Sequence, residues 1–216
     1  IADALAATAM HQLPAPVVFT EAPLVAPVSA TCKLDRTHQA ASLRGTRIAI
    51  ACDAAFSFLY RANLDCLREL GANICFFSPL DDSTLPDCDA LYLPGGYPEL
   101  HLDALANNHG LKQALHAHHA AGKPIIAECG GLLYLLDSLT DCSGRKASMA
   151  GLLRGDAVMQ DKLVNLGLHS VALPEGKLRG HTFHHSRTKS PLTPATMTEG
   201  KRGNPVSLGC RPAACK

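Results

Sequence analysis

The chain has 216 residues, enough for one domain with a buried core but not for several large domains. Apolar residues make up 47%, charged residues 18% and aromatic residues 5%, which excludes a disordered tail protein and a collagen-like chain. Twenty basic residues against nineteen acidic ones give a net charge of +1, so the overall charge indicates no nucleic acid and no anionic lipid as a partner.

The nine cysteines are scattered along the chain and form no CxxC pair. An odd number in this arrangement favours reduced, separate thiols over a disulfide framework, and we therefore expect a cytoplasmic protein. No apolar run approaches the ~18 residues of a membrane span, and no segment resembles a secretory leader, so no membrane partner is expected. Because the sequence begins at Ile1 rather than Met, we expect a piece of a longer protein.

The first 44 residues differ in composition from the rest of the chain. An alanine-rich stretch at 1–10 is typical of the end of a helix, and the prolines that follow at 14, 16, 23 and 27 predict an extended linker. We place a domain boundary near Leu43. Residues 45–188 are then the main domain, and residues 189–216 are a tail without an apolar period, for which no regular structure is predicted.

From Arg47 onward, short apolar runs alternate with amphipathic stretches, a pattern typical of βα units around a mainly parallel sheet. Leucines at helical spacing predict a helix that ends at Gly71, and a longer helical stretch over 99–121 that is interrupted near Asn108. After residue 140 the pattern becomes strand-like, and we interpret these segments as antiparallel additions to the sheet. The clearest strands are predicted at 47–52, 73–77, 89–94 and 124–128.

The fourth predicted strand runs directly into Cys129, which is followed by two glycines and an apolar helix start. This pattern is typical of a nucleophile elbow, a tight turn that needs small residues two positions away, here Ala127 and Gly131. We expect the N-terminus of the helix to lower the pKa of the thiol and to favour the thiolate. From the pattern alone, a buried and inert cysteine remains the alternative.

A catalytic thiol needs a base, and three histidines close together in sequence are candidates. In a strand over 178–186, alternation places His181 and His185 on one face and His184 on the other. Spacing does not choose among the three.

The segment LPGGYPE, at the end of the third predicted strand, contains Gly95 and Gly96. Tandem glycines let backbone amides turn inward, which suits an oxyanion hole completed by the amide of Gly130. An ordinary turn between a strand and a helix is the alternative for this segment.

Neither a metal site nor a phosphate loop is predicted. The histidines at 116, 118 and 119 lack the spacing and the partners of a metal site, and we interpret them as a solvated helix face. The sequence contains no GxxxxGK[ST] segment, so it does not bind ATP through such a loop.

Four segments in combination resemble the C-terminal glutamine amidotransferase domain of the cobyrinic acid a,c-diamide synthases. They are DAAFSFLYRAN at 53–63, LPGGYPEL at 93–100, AECGGLLY at 127–134 and RGHTFHHS at 179–186. The resemblance covers about residues 45–188. It implies a flavodoxin-like α/β fold of the class I glutamine amidotransferases, with a mostly parallel sheet flanked by helices.

The resemblance implies that Cys129 attacks the side-chain amide of L-glutamine and releases ammonia, with His184 as the base. Oxyanion and glutamine-binding roles then fall to Gly95, Gly96 and Gly130. Many related amidotransferases carry a glutamate two residues beyond the histidine. Because Ser186 stands there in this chain, no third catalytic residue is named. We expect Glu128 to point away from the thiol along the strand.

The family's full-length enzymes use ATP and Mg²⁺ in an N-terminal synthetase domain. With the ammonia, they amidate the a- and c-carboxylates of a corrinoid, cobyrinate or hydrogenobyrinate, in cobalamin biosynthesis. By this resemblance residues 1–44 are the remnant of that domain and its linker, residues 189–216 are an irregular or truncated tail, and no cofactor binds this chain itself. A homodimer is a candidate assembly. The alternatives are an amidotransferase domain of a cobyric acid synthase and a non-catalytic fragment.

Overall fold

The computed structural model describes residues 42–173, 176–194, 196–200 and 207–208. Residues 1–41, which carry almost all of the predicted upstream remnant and linker, lie outside the described residues, as does much of the predicted tail. Within the described part, no helix is long and apolar enough to cross a membrane. The six cysteines in this part are all free thiols.

Four parallel strands form the central sheet, and all four match the predicted strands. Short apolar runs form them because both faces of a parallel sheet are covered by other elements. In spatial order the strands are β2-β1-β3-β4, so the winding of the chain reverses between β1 and β3. Ligand sites in open α/β sheets lie at the carboxyl ends of strands at such a reversal. The strands are β1 (Arg47–Ala51), β2 (Asn73–Phe77), β3 (Ala90–Leu93) and β4 (Ile125–Ala127).

The helices also follow the predicted pattern. A 3₁₀ turn at Pro98–His101 precedes α2, and Asn108 separates α2 from α3 with its side chain accepting a hydrogen bond from the amide of Leu111 at 3.2 Å. Gly71, beyond the end of α1, has φ +91°, and its amide donates to the carbonyl of Arg68 at 2.9 Å. The α-helices are α1 (Arg61–Glu69), α2 (Leu102–Asn107), α3 (His109–Ala120) and α4 (Gly130–Leu135).

The main core lies between the sheet and α2, α3 and α4. Its helical leucines are fully buried, as their spacing predicts, and each contributes roughly 1.5–3 kcal/mol by leaving water. They are Leu102, Leu105, Leu111 and Leu115. The sheet and helices confirm the predicted α/β class.

The strands after residue 135 are not additions to the central sheet, and in this respect the prediction is wrong. They form separate sheets with the orders β10-β7-β5-β6 and β12-β8-β9 and a two-stranded pair, β11-β13. Most pairings are antiparallel, although β5 and β7 run parallel. The strands are β5 (Leu136–Thr140), β6 (Lys146–Ser148), β7 (Leu153–Met159), β8 (Asn165–Leu173), β9 (Gly176–His184), β10 (Ser186–Lys189), β11 (Thr196–Met197), β12 (Glu199–Gly200) and β13 (Ser207–Leu208).

The described part of the predicted tail is also not wholly irregular, because it contains β11, β12 and β13. Each of these strands has two residues. A two-residue strand is too short to show an alternating apolar pattern, so it gives no signal in the sequence.

Candidate active site

Cys129 occupies the sharp turn between β4 and α4. It has φ +48° and ψ −113°, and it is the one non-glycine residue with positive φ in the described part of the chain. A side chain in this conformation is strained by roughly 1–3 kcal/mol, and such strain concentrates at functional sites. The turn has the form of the predicted nucleophile elbow.

The glycines beside Cys129 let the loop after β3 pack directly on the elbow. A Cβ atom on Gly131 would lie 2.2 Å from the carbonyl oxygen of Leu93, and one on Gly130 would lie 2.8 Å from Cδ of Pro98. Neither position can hold a larger residue unless the β3 loop moves. The predicted need for a small residue at Gly131 therefore has a definite cause, the backbone of the neighbouring strand.

Two backbone amides, one at the start of α4 and one in the loop after β3, converge on the Cys129 sulfur. The amides of Gly130 and Gly96 both interact with the sulfur, and a Cβ on Gly130 would lie 3.0 Å from the Gly96 nitrogen. The third predicted glycine, Gly95, lies against Cys129 as well, since its added Cβ would be 3.2 Å from Cβ of the cysteine. The carbonyl of Gly95 accepts a hydrogen bond from the amide of Phe58 at 3.1 Å.

The electrostatic balance at the thiol differs from the prediction. Burial of the sulfur against the β3 loop raises the pKa of Cys129, the amides of Gly130 and Gly96 oppose the shift, and the carboxylates of Glu99 and Glu128 add to it. The residue is nevertheless open to solvent on its other side. Because burial outweighs the amide of Gly130 at the start of α4, the predicted lowering of the pKa by the helix N-terminus is wrong, and the pKa of the thiol is raised.

His184 is the last residue of β9, and its ring is oriented by a backbone group. Nδ1 lies 3.0 Å from the carbonyl oxygen of Ser186. Because a carbonyl only accepts, Nδ1 carries the proton and Nε2 of the neutral ring is left as the acceptor. A base with this tautomer can take a proton through Nε2. The acceptor is the backbone carbonyl of Ser186, which every residue type possesses, so side-chain types could not predict this contact.

The alternation of the three histidines is as predicted. In the β8–β9 pair, His184 lies opposite the buried Asn165, whereas His181 lies opposite the exposed Leu168. The His185 ring packs against Phe183, with the ring centroids 6.0 Å apart. His184 therefore faces the protein while His181 faces away from it.

Within the described residues, no hydrogen bond joins the Cys129 sulfur to a histidine. Glu99 lies in the segment with the two glycines. Its carboxylate interacts electrostatically with the Cys129 thiol and with the ring of His185. Glu99 belongs to the segment LPGGYPE, but its residue type and spacing predict no role for it.

Glu128, the neighbour of Cys129, is engaged elsewhere. The hydroxyl of Tyr92 donates to its carboxylate at 3.1 Å. This contact agrees with the expectation that the side chain turns away from the thiol.

The predicted solvated histidine face of α3 is wrong for His118. That residue is buried, with Nδ1 3.9 Å from the Cys88 sulfur and Nε2 3.3 Å from the carbonyl oxygen of Pro124. Nε2 of His116 lies 2.7 Å from the carbonyl oxygen of Ala150. Among the described residues, no group of three or more histidine, cysteine, aspartate or glutamate side chains is arranged to hold a metal ion.

Replacing Cys129 should reveal the backbone strain at the elbow. At an ordinary position, glycine is less stable than alanine by roughly 0.5–1 kcal/mol. We expect the order to reverse at this position, with Cys129→Gly more stable than Cys129→Ala by about 1 kcal/mol in urea denaturation, because glycine relieves the positive φ. Cys66, an exposed residue of α1, supplies the control pair, in which alanine should be the more stable. If the alanine variant is the more stable one at both positions, the backbone at Cys129 is not strained.

The reactivity of the thiol should depend on pH as its raised pKa requires. Iodoacetamide reacts with the thiolate, so the alkylation of Cys129 should reach half its maximal rate at a higher pH than that of N-acetylcysteine. Peptide mapping by mass spectrometry separates Cys129 from the other cysteines. If Cys129 reaches half its maximal rate at a lower pH than N-acetylcysteine, the pKa of the thiol is lowered and the prediction is wrong.

The chain is similar to several a,c-diamide synthases. It is 55% identical over 193 residues to the hydrogenobyrinate a,c-diamide synthase of Pseudomonas aeruginosa, covering 89% of this chain and 42% of that protein. With the enzyme of the same name from Stutzerimonas stutzeri the identity is 56% over 198 residues, covering 92% and 43%. The cobyrinate a,c-diamide synthase of Herminiimonas arsenicoxydans is 47% identical over 181 residues, covering 83% and 41%. The chain spans less than half the length of these relatives.

Among solved structures, the similarity to PurLQS from Thermotoga maritima has a TM-score of 0.48 and 20% sequence identity. It covers 73% of this chain and 75% of that one. A family model described as a CobB/CobQ-like glutamine amidotransferase domain matches residues 47–215. This match and the relatives confirm the resemblance drawn from the four segments. The chain belongs to the CobB/CobQ-like glutamine amidotransferase family.

Proposed function

We propose that this chain is the glutaminase part of an a,c-diamide synthase and that Cys129 and His184 perform the hydrolysis. The observation that carries the proposal is the convergence of the Gly96 and Gly130 amides on a thiol held at an elbow. These amides are available to an oxygen that becomes negatively charged next to the sulfur. Acyl transfer from an amide needs this arrangement of donors.

In the proposed first step, Nε2 of His184 takes the proton of the Cys129 thiol, and the sulfur attacks the side-chain carbonyl carbon of L-glutamine. The carbonyl oxygen becomes an oxyanion that accepts hydrogen bonds from the amides of Gly96 and Gly130. The imidazolium returns the proton to the leaving nitrogen, the carbon–nitrogen bond breaks, and ammonia departs. The product on the enzyme is a thioester.

In the second step, water attacks the thioester while Nε2 of His184 takes one of its protons. The tetrahedral oxyanion uses the same two amides. When it collapses, the carbon–sulfur bond breaks, glutamate leaves, and the proton returns to the sulfur of Cys129. The carbonyl of Ser186 keeps the ring in the required tautomer throughout and takes the orienting role that a carboxylate has in many triads.

The raised pKa of the thiol supports the need for a base. A protonated sulfur is a weak nucleophile, so proton transfer to a histidine must accompany the attack. Gly95 contributes in this proposal by its lack of a side chain, which lets the loop lie on Cys129.

We further propose that the ammonia serves the amidation of a corrinoid dicarboxylate, cobyrinate or hydrogenobyrinate. Support comes from the three relatives, whose names specify these reactions, and from the 42% of the Pseudomonas aeruginosa protein that this chain covers. ATP and Mg²⁺ would act in the part of those proteins that this chain does not match, and so would the corrinoid site.

Glutamine hydrolysis by the purified chain tests the catalytic residues. The wild-type chain should release glutamate and ammonia, Cys129→Ser should lose at least about 10³-fold in kcat, and His184→Ala about 10²–10⁴-fold. His181→Ala is the matched control and should keep its activity, because that side chain faces away from the protein. Full activity in Cys129→Ser would overturn the mechanism. Loss in His185→Ala with retention in His184→Ala would transfer the role of the base to His185.

A chimeric enzyme tests the link to corrinoid amidation. Replacing the matching C-terminal segment of the Pseudomonas aeruginosa enzyme with this chain should preserve glutamine-dependent amidation of hydrogenobyrinate, since the two are 55% identical. A chimera that carries Cys129→Ser should use ammonium chloride but not glutamine. If the unmutated chimera uses ammonia but not glutamine, while the isolated chain hydrolyses glutamine, the proposed acceptor is wrong.

A further inference from the structure

We propose that Asp53 is a positioning residue for this site and that its carboxylate holds the Gly96 amide on the Cys129 sulfur through the segment 53–58. The inference rests on the proposed glutaminase function and adds a residue to it. Asp53 lies just beyond the carboxyl end of β1, at the reversal of the sheet between β1 and β3. Its segment, DAAFSFLYRAN, carries part of the family resemblance, and the proposed mechanism assigns it no role.

Both oxygens of the Asp53 carboxylate are used. Oδ1 accepts hydrogen bonds from the amides of Ala55 at 2.8 Å and Phe56 at 3.1 Å. Oδ2 accepts from the hydroxyl of Ser78 and from the amide of Leu80, each at 2.9 Å. Hydrogen bonds to an ionised group are roughly twice as strong as neutral ones. The carboxylate therefore fixes its own segment and ties it to the loop after β2.

The segment 53–58 in turn holds the two glycines from both sides. The carbonyl of Ala55 accepts a hydrogen bond from the amide of Tyr97 at 2.9 Å, and the amide of Phe58 donates to the carbonyl of Gly95 at 3.1 Å. Between these two bonds, a Cβ on Gly96 would lie only 2.1 Å from the oxygen of Ala55. The backbones thus touch without room for a side chain, and a shift of one segment moves the other.

Packing keeps the segment from shifting as a whole. The Phe56 ring is fully buried and lies 5.6 Å from the ring of Tyr134 in α4. On the outer side, the rings of Phe58 and Tyr97 meet edge to face at 5.1 Å. The segment 53–58 is therefore fixed to α4 on one side and to the β3 loop on the other.

The Gly96 amide links the segment 53–58 to the Cys129 sulfur. The Gly96 amide interacts with the Cys129 sulfur and lies 3.0 Å from the position of a Cβ on Gly130. Loss of an oxyanion donor costs about 10²–10³-fold in kcat, and misplacement by about 1 Å has large effects as well. An anchor that sets the place of this amide should therefore affect the turnover of glutamine more than its binding.

Asp53→Asn is the direct test because the amide group keeps the size of the carboxylate. It retains one accepting oxygen, but its NH₂ group then faces two donors on the other side. We expect kcat for glutamine hydrolysis to fall by about tenfold or more, with KM changed by less than about threefold. The pH of half-maximal alkylation of Cys129 should also rise, because the Gly96 amide opposes the increase in thiol pKa.

Asp141→Asn is the matched control. Asp141 anchors the turn between β5 and β6, where its Oδ1 accepts from the amide of Ser143 at 2.9 Å, the hydroxyl of Ser143 at 2.7 Å and the amide of Arg145 at 2.9 Å. It should lower the melting temperature as Asp53→Asn does and leave kcat and the alkylation profile unchanged. Ser78→Ala removes one of the four bonds to Asp53 and should produce a smaller change in the same direction.

A folded Asp53→Asn protein with kcat within about twofold of wild type and an unshifted alkylation profile would overturn the positioning role. If Asp53→Asn does not fold, Ser78→Ala decides, and its wild-type kcat and alkylation profile would overturn the role. Absence of glutaminase activity in the wild-type chain would instead count against the proposed function. The alkylation profiles would still show whether Asp53 controls the surroundings of the thiol.

Discussion

The close packing of two backbones around Cys129 is the constraint on which the rest of the site depends. The β3 loop reaches the elbow so closely that positions 130 and 131 have no space for a Cβ. Contact between backbones without intervening side chains brings an amide of one loop to the sulfur carried by the other. The strained dihedral angles of Cys129 are maintained because the surrounding contacts leave the elbow no other conformation.

The electrostatics of the site favour a charge that forms during a reaction over one that is present beforehand. Burial keeps the thiol protonated, whereas the amides of Gly96 and Gly130 stabilise negative charge next to it. Donors that act mainly on a developing charge lower a barrier more than they strengthen ground-state binding. A histidine whose Nδ1 donates to a backbone carbonyl, as at His184, presents Nε2 as the accepting nitrogen when its ring is neutral, and this complements a protonated thiol.

Much of the fold was predictable because the central strands are short, continuous apolar runs and the leucines of α2 and α3 follow helical spacing. The elbow was predictable for a similar reason, since strand, cysteine and glycines are consecutive. The pKa of Cys129 was not, because burial by the β3 loop is a tertiary effect that outweighs the local helix. The burial of His118 and the separation of the later sheets likewise depend on which elements meet in space. The anchoring role inferred for Asp53 depends on backbone groups from three loops, which no residue type reveals.

The contact between Gly131 and the carbonyl of Leu93 has a consequence for how sequences of this kind can change. A residue larger than glycine at 131 would push the β3 loop outward, and with it the Gly96 amide. The harm caused by such a replacement depends on what else differs in the β3 loop, so substitutions in the two segments are expected to show strong epistasis. Substitutions in the elbow and in the β3 loop would then be retained together during evolution, although about thirty residues separate the two segments in the chain.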